Sequence, residues 1–439
     1  MPQHTHDVFG IRPEVTDLSY IDRGALDAEF RSLLSRKQTH VAIRGASKCG
    51  KSWLRQKVLD NPLVIQCRLN YKISDIYVAA MAELGIELVL ERTDSTALKG
   101  ALKAHGEAGL KLLAKAGFDI DIGGEKTNQQ KTRPLGGDVN DLKHIALVIQ
   151  ASGRTLVIED FHYLSANEQK LFAFDLKTLW DYKTFVVVIG VWISDNMLIT
   201  LNPDLSDRIE EFPVIWSIEE LKGILRKGGK ALRLEFGDTA ATHIANLSFG
   251  SAGLLQKLAL RTIDSELKIA IRSENDTIIK IDRVDEINDA AMHVADQLNQ
   301  LYQAFAKRVC DGIRNRKNST GIYAHAMAAI MSCSDEQLTN GIEAREIFLI
   351  AHERQPRIQI GNLKTVLSRF EELQVDSDGR GLVIAYDQSI EKITIVDRQL
   401  LLYRKFATVK WPWEELITEV SDDEGAFGEQ LVLQYLANR

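Results

Sequence analysis

The fold of this chain is decided by the stretch Gly45-Ala46-Ser47-Lys48-Cys49-Gly50-Lys51-Ser52. The stretch fits the pattern G-x-x-x-x-G-K-[ST] at every constrained position, with the apolar segment Val41-Ala42-Ile43 before it and a helical pattern after it. Glycines let such a backbone curl until its N–H groups point inward, and the start of the following helix adds positive potential. The sequence therefore predicts a loop that cradles phosphate groups.

Two side chains of this loop have expected chemical roles. Lys51 should reach the terminal phosphates of a bound nucleotide, and the Ser52 hydroxyl should ligate Mg²⁺. The nucleotide contacts should be completed by the next residue, Trp53, and by the other loop positions, which are Gly45, Ala46, Ser47, Lys48, Cys49 and Gly50. The expected cofactors are ATP and Mg²⁺.

An acidic pair follows a later strand pattern, as such a site requires. Leu156-Val157-Ile158 is apolar and ends in Glu159 and Asp160. We assign Glu159 to the Mg²⁺ shell, through water, and Asp160 to polarising the attacking water. The order is open, since two adjacent carboxylates could exchange these roles. His162, just after the pair, is expected to be a packed or solvent-facing side chain and not a catalyst.

Polar residues also follow the strand pattern at 185–191. Ser194, Asp195 and Asn196 are all candidates for the position beside the γ-phosphate, and Asn196 is the one we predict.

The order of these segments predicts an α/β fold. Short apolar runs that read as buried strands alternate with helical patterns, which favours a parallel sheet covered on both faces. The segment at about 93–138 departs from this alternation. It is rich in Ala, Gly and Lys and then polar and Gly-rich, so we predict an insertion made of one helix and a loop.

Three domains are expected from the patterns along the chain. They are a nucleotide-binding domain at 1–217 that includes the insertion, a helical lid at 218–317, and a winged-helix domain with a tail at 318–439. The winged helix is predicted because helices ending near Leu373 are followed by two alternating strand patterns, at 382–386 and 393–396.

Composition limits the partners that this chain can have. The net charge of −7 excludes a global positive field, so any contact with double-stranded DNA would need a local patch. Lys364, Arg369 and Arg380 offer too little excess charge to establish one. The sequence contains no apolar run of membrane-spanning length, and its four scattered cysteines fit a reducing cytoplasm.

These motifs together resemble the AAA+ superfamily and its STAND-type relatives, over roughly residues 8–270. The similarity is strongest to the branch that contains origin-recognition initiators and transposition-helper ATPases. It is carried by the loop and by the segments at 20–23, 157–160, 188–192, 204–209 and 215–221. The resemblance adds Arg23, just before the loop, to the expected nucleotide contacts.

The resemblance also implies a role for Arg208. In ATPases that work as rings, an arginine at this place reaches the nucleotide of the next subunit, and such fingers contribute roughly 10³ to 10⁵ in rate. The alternative is a surface arginine that pairs with Asp204 or Glu211.

One departure from the family pattern bears on function. Many AAA+ lids carry an arginine in a Gly-x-x-Arg context, whereas the equivalent stretch here, at 249–255, contains none. The departure favours a slow, switch-like ATPase. No segment of the sequence resembles a nuclease, a protease or another effector domain, so we expect the switch to work with a separate effector protein. We also expect it to oligomerise with ATP and to act in bacterial antiphage defence or DNA transposition. The alternatives are a DNA-binding initiator of the origin-recognition type and a metabolic P-loop kinase.

Overall fold

The computed structural model describes residues 2–92, 98–104, 106–117, 132–138, 142–192, 195–312, 320–374 and 382–417. Its strands are β1 Gln3–His4, β2 His40–Arg44, β3 Leu63–Gln66, β4 Ile86–Arg92, β5 Leu98–Ala104, β6 Thr132–Asp138, β7 Leu156–Glu159, β8 Val186–Ile189, β9 Ile209–Pro213, β10 Leu234–Phe236, β11 Ile271–Arg272, β12 Ile279–Ile281, β13 Ile342–Glu343, β14 Ile384–Asp387 and β15 Lys392–Ile395.

The α-helices are α1 Thr5–Val8, α2 Leu26–Arg36, α3 Lys51–Val58, α4 Ile73–Glu83, α5 Gly106–Lys115, α6 Leu142–Ser152, α7 Ala166–Asp181, α8 Met197–Leu201, α9 Ile218–Ala231, α10 Asp238–Leu247, α11 Ala252–Arg261, α12 Val284–Asp311, α13 Ile322–Ser332, α14 Asp335–Asn340, α15 Ala344–Arg354, α16 Ile360–Leu367, α17 Phe370–Gln374 and α18 Gln399–Phe406. Within the described ranges, no helix combines the length and the hydropathy needed to cross a bilayer.

The chain divides into two compact units. One comprises residues 22–45 and 50–214, and the other comprises 1–21, 46–49 and 215–439. We call them the sheet unit and the helical unit. Residues 1–21 cluster with the helical unit, and the three predicted domains stay a prediction.

A five-stranded parallel sheet forms the centre of the sheet unit. The strand order is β3-β7-β8-β2-β9, and every neighbouring pair runs parallel. All four residues of β7 and of β8 are buried, as continuous apolar strands covered on both faces should be. Parallel strands end at the same edge, so the ends of β2, β7 and β8 lie side by side. The predicted α/β fold is confirmed.

The insertion differs from the helix-and-loop arrangement that its composition suggested. Strands β4, β5 and β6 pair antiparallel in a second, three-stranded sheet, and α5 follows β5. The stretch at 98–104 is therefore a strand. Ala, Gly and Lys have low β-propensity, and here pairing between strands overrides that local preference.

The helical unit has one hydrophobic core to which both predicted C-terminal domains contribute. Leu225 and Leu255 from the predicted lid belong to the same buried cluster as Leu363 and Leu401 from the predicted winged helix. Strands β14 and β15 form an antiparallel hairpin at 384–395, and β13 pairs with β15. The predicted hairpin is therefore present, while the winged-helix assignment stays a prediction.

The N-terminal residues pack tightly against this core. Strand β1 pairs with β11, and the Phe9 side chain, which is fully buried, meets Phe236 edge to face with 6.1 Å between ring centroids. A methyl group added to Gly228 on α9 would lie within 3.1 Å of three atoms of the Phe9 ring. Glycine at position 228 is therefore what allows this ring to approach the helix.

We predict that Gly228→Ala destabilises the protein. The clash with Phe9 should cost about 1–3 kcal/mol, which exceeds the gain of up to about 1 kcal/mol from better helix propensity. The denaturation midpoint of the helical unit should fall. Gly361→Ala is the matched control, because a methyl group there meets nothing within 4 Å. An unchanged or raised midpoint for Gly228→Ala would contradict this account of the Phe9 contact.

Candidate functional site: a phosphate-binding loop and its acidic partners

The loop at 45–52 joins β2 to α3 and has a backbone suited to its sequence. Gly50 precedes α3 with φ 97° and Lys48 has φ 59°, both in the left-handed region. Glycine occupies this region without steric cost, whereas Lys48 carries roughly 1–2 kcal/mol of strain. Strain of this kind is concentrated at functional loops.

The orientation of the loop peptides follows from bonds within the helical unit. Gly253 N–H donates to the Lys48 carbonyl oxygen at 2.9 Å, and the Trp216 indole N–H donates to the Cys49 carbonyl oxygen at 2.7 Å. The peptides are trans and planar, so each carbonyl points opposite to the next N–H. The N–H groups of Cys49 and Gly50 are therefore directed away from these partners, as a phosphate cradle requires.

Lys51 is buried at the start of α3. Its ammonium donates to the Gly45 carbonyl oxygen at 3.0 Å, which turns the side chain back along the loop. A buried ammonium needs such a partner, and phosphate oxygens are a stronger one. The position fits the predicted role.

The acidic pair lies at the end of β7, and both carboxylates already have partners. Glu159 is buried, and its Oε1 accepts from the Arg55 Nε at 3.2 Å. Asp160 Oδ2 accepts from the Gln66 side-chain amide at 3.1 Å. Arg55 stands one helical turn after Lys51 and Gln66 ends β3. Both side chains were missed by the sequence analysis, although a polar residue at the end of a buried strand was a usable signal for Gln66.

The charge of Lys51 affects the pKa of both Asp160 and His162, so its ammonium lies close to these two side chains. Burial raises the pKa of Asp160, and the neighbouring Glu159 carboxylate adds to the rise. The Gln66 hydrogen bond and the Lys51 charge oppose it. Burial, with a smaller effect of Lys51, lowers the pKa of His162 to about 3. His162 Nδ1 accepts from Val191 N–H at 3.3 Å, so a neutral imidazole ties this turn to the end of β8 and acts as no proton carrier at neutral pH.

The donor set fits Mg²⁺. The Ser52 hydroxyl is exposed at the start of α3, and Glu159 and Asp160 supply carboxylate oxygens. Hard oxygen donors of this kind are the ligands that Mg²⁺ prefers, with phosphate oxygens and water filling the remaining positions. Bound there, the ion would neutralise charge on the terminal phosphates.

The three candidates for the position beside the γ-phosphate, which follow β8, have different surroundings. Ser194 lies outside the described residues. Asp195 is bound by the guanidinium of Arg44, which also bonds Glu211 at 3.0 Å. Asn196 begins α8 in a left-handed conformation with φ 59°, and among the described residues its side chain makes no hydrogen bond. Its role beside the γ-phosphate stays a prediction.

Arg208 is held within its own chain. Its guanidinium donates to the Asp204 carbonyl oxygen and lies 4.8 Å from the centre of the Trp180 ring. The Glu211 carboxylate pairs with Arg44 and not with Arg208. The trans-acting role of Arg208 therefore stays a prediction, and it would require the side chain to leave these contacts.

The structure also describes the two remaining predicted nucleotide contacts, Arg23 and Trp53. The Arg23 carbonyl oxygen accepts from Leu26 N–H ahead of α2, and Trp53 is half-buried in the first turn of α3. Their contacts with a nucleotide stay predictions.

The chain was compared with known proteins. No family model matches it, and no curated protein does. Among solved structures it is similar to a Walker-type ATPase of Pyrococcus abyssi, with 13% identity, 91% of this chain and 99% of that chain covered, and a TM-score of 0.47.

Two further solved structures illustrate the range of similar proteins. For the Aeropyrum pernix Orc1 protein in complex with DNA, identity is 11%, the coverage is 92% of this chain and 96% of that chain, and the TM-score is 0.38. For a STAND protein of Pyrococcus horikoshii with a tetratricopeptide repeat sensor, identity is 16%, the coverage is 94% and 45%, and the TM-score is 0.36. The chain thus spans less than half of the STAND protein.

The fold assignment rests on the chain's own features. In the parallel sheet, β2 leads through the G-x-x-x-x-G-K-S loop into helix α3, and the acidic pair stands at the end of β7, two strands away. This arrangement is a P-loop nucleotide-binding fold.

We predict that Gln66→Ala changes the pH dependence of ATP hydrolysis. The Gln66 bond stabilises the charged form of Asp160, so its loss should raise the pKa of that carboxyl further. If ionised Asp160 polarises water, the acid limb of the rate profile should move to higher pH. The measurement is the rate against pH, with Gln66→Glu avoided because it adds charge. Gln169→Ala, in the following helix, is the control, and an unmoved acid limb would remove Asp160 from this role.

Proposed function

We propose that this chain is an ATP-binding molecular switch that hydrolyses ATP slowly. The observation that carries the proposal is the set of hydrogen bonds by which residues 216, 253 and 396 hold loop residues 47–49. Gly253 and Trp216 hold two loop carbonyls, and Ser47 N–H donates to the Val396 carbonyl oxygen at 3.0 Å. Gly253 belongs to the predicted lid, Trp216 lies just before it, and Val396 follows the β14–β15 hairpin.

This bonding supports coupling between nucleotide and conformation. The same short segment has N–H groups directed at the phosphate position, two carbonyls that accept from residues 216 and 253, and the Ser47 N–H, which donates to the carbonyl of residue 396. A change in loop shape on binding or loss of the γ-phosphate therefore alters bonds in the helical unit. A ligand shifts a conformational equilibrium by its differential affinity for the two states, and this segment gives ATP and ADP a means to differ.

Slow hydrolysis is supported by the partners of the two carboxylates. Glu159 is paired with Arg55, and Asp160 is bonded to Gln66. Mg²⁺ must compete with a guanidinium for Glu159, and a water must compete with an amide for Asp160. Both features lower the fraction of molecules that are ready to react.

The proposed switch has two kinds of protein partner, which are further copies of this chain and a separate effector. We place the switch in antiphage defence or DNA transposition, as a homo-oligomer with ATP that acts on a separate effector protein. The support is the motif resemblance together with the missing lid arginine. Oligomerisation would give Arg208 its predicted target in a neighbouring subunit.

The alternatives have less support. A DNA-binding initiator would use the predicted winged helix, but Lys364 is paired with Glu391 at 2.6 Å and Arg380 lies outside the described residues. A gel shift of duplex DNA at moderate salt, made tighter by ATP, would favour the initiator. A metabolic kinase does not need a phosphate loop whose carbonyls are held by residues 216 and 253.

Lys51→Ala should weaken ATP binding at least about tenfold, because it removes a charge-assisted contact with the phosphates. Titration of a fluorescent ATP analogue with Mg²⁺ measures this. Lys57→Ala, later in the same helix, should bind as the wild type does. Equal affinity for Lys51→Ala and the wild type would disprove the nucleotide site itself.

Trp216→Phe should uncouple the helical unit from the nucleotide. The change keeps the ring but removes the indole N–H that holds the Cys49 carbonyl, a bond worth about 0.5–1.5 kcal/mol. Hydrogen exchange of peptides covering 392–406 should respond to ATP versus ADP in the wild type and much less in the variant.

Trp180→Phe is the matched control, since it removes an indole bond of the same length, to the Gln38 carbonyl oxygen, within the sheet unit. Retention of the full nucleotide response in Trp216→Phe would argue against coupling through this bond. The control should respond as the wild type does.

A further inference from the structure

A row of cations lies along one face of α11 in the helical unit. Gly253, Lys257 and Arg261 are spaced i, i+4 and i+8, so they share that face. Lys48 lies next to Gly253, the first of these three residues. The Gly253 N–H donates to the Lys48 carbonyl oxygen, and a methyl group added to Gly253 would lie 3.0 Å from the Lys48 Cβ. The row therefore consists of Lys48, Lys257 and Arg261.

The charges of this row act on one another. Burial is the largest effect and lowers the pKa of Lys257, and the charge of Lys48 lowers it further. The Asp397 carboxylate raises this pKa, and the charge of Arg261 lowers it by a smaller amount. All four groups belong to the helical unit. The row is thus a cluster of like charges in which Lys257 and Arg261 are half-buried and Lys48 is exposed.

The cluster lacks the counter-charge that its neighbours have. In the part of the chain that the structure describes, none of the three cations forms a salt bridge, and Arg261 Nε is buried without a hydrogen-bond partner. Nearby cations differ: Lys222, Arg272 and Lys280 each have a carboxylate within 4.0 Å. Asp397 is engaged elsewhere, accepting from the Tyr302 hydroxyl at 2.9 Å and from Gln399 N–H at 3.2 Å.

Half-buried cations without partners are costly, because desolvation and mutual repulsion both oppose the charged forms. A bound anion removes both costs. Three cations against one carboxylate leave two positive charges, which a phosphate dianion would neutralise. The guanidinium fork suits phosphate oxygens, and the two ammonium groups add point charges.

We propose that Lys48, Lys257 and Arg261 form a second anion site, which binds a phosphate group outside the cradle served by Lys51. Lys48 belongs to the loop, and its Cβ lies against Gly253 of α11, so an anion held by these cations would contact both the loop and this helix. The site does not depend on the proposed switch function.

Inorganic pyrophosphate is the probe, and Lys51→Ala provides a background in which the cradle is weakened. Calorimetric titration should show binding to the wild type and to Lys51→Ala. Adding Lys257→Gln and Arg261→Gln should reduce affinity at least about tenfold, since two charge-assisted contacts are lost. Arg226→Gln with Lys230→Gln is the matched control: the same charge change at the same spacing, exposed on α9 of the same unit.

A charge-preserving exchange, Lys257→Arg with Arg261→Lys, should retain binding. If the double glutamine variant fails to fold by circular dichroism, Lys48→Gln in the Lys51→Ala background decides, because the cradle is already weakened there and loss of the exposed Lys48 side chain should still weaken binding. Loss of pyrophosphate binding on Lys51→Ala alone would overturn the proposal, because the anion would then occupy only the cradle. Unchanged affinity in the glutamine variants would overturn it equally.

Discussion

The peptide orientation of the loop is the constraint on which the rest of this structure depends. A trans peptide sends its carbonyl and the next N–H in opposite directions, so holding the carbonyls of Lys48 and Cys49 from one side aims N–H groups at the other. Gly253 and Trp216 do the holding. The phosphate cradle is therefore preorganised by residues more than 160 positions away in sequence, and any rearrangement of these residues changes the cradle.

A second theme is that the reactive carboxylates are restrained by neighbours. Arg55 neutralises Glu159, and Gln66 orients Asp160 while stabilising its charge. These partners keep a pair of adjacent carboxylates stable in a buried position where their mutual repulsion would otherwise raise both energies. One oxygen of each carboxylate is therefore already engaged within the chain.

Local signals in the sequence were sufficient for the sheet and the loop. The strands β2, β7 and β8 are short apolar runs, and the loop has a fixed pattern, so each could be located from its own residues. The acidic pair followed from its place after an apolar run. The prediction for the insertion was wrong in part, because Ala, Gly and Lys at 98–104 do not favour a strand by themselves. This segment becomes a strand only through pairing with β4 and β6.

Most partners of the site residues could not be identified from the sequence, for a different reason. Arg55 and Arg44 are single polar residues whose roles arise from the spatial order of strands, which alternating patterns do not specify, whereas Gln66 had a usable signal as the polar end of a buried strand. The packing of Phe9 against Gly228 depends likewise on contacts between distant segments. Sequence patterns determine elements well, but they determine poorly which side chains meet at the edges of those elements.

The indole of Trp216 gives the molecule an optical property of its own. Indole emission depends on what the ring N–H contacts and on the surrounding polarity, and here that contact is a carbonyl of the phosphate loop. The emission of this one tryptophan is therefore tied to the state of the loop. A chain in which the other tryptophans are replaced would report the occupancy of its cradle in real time, without an attached dye.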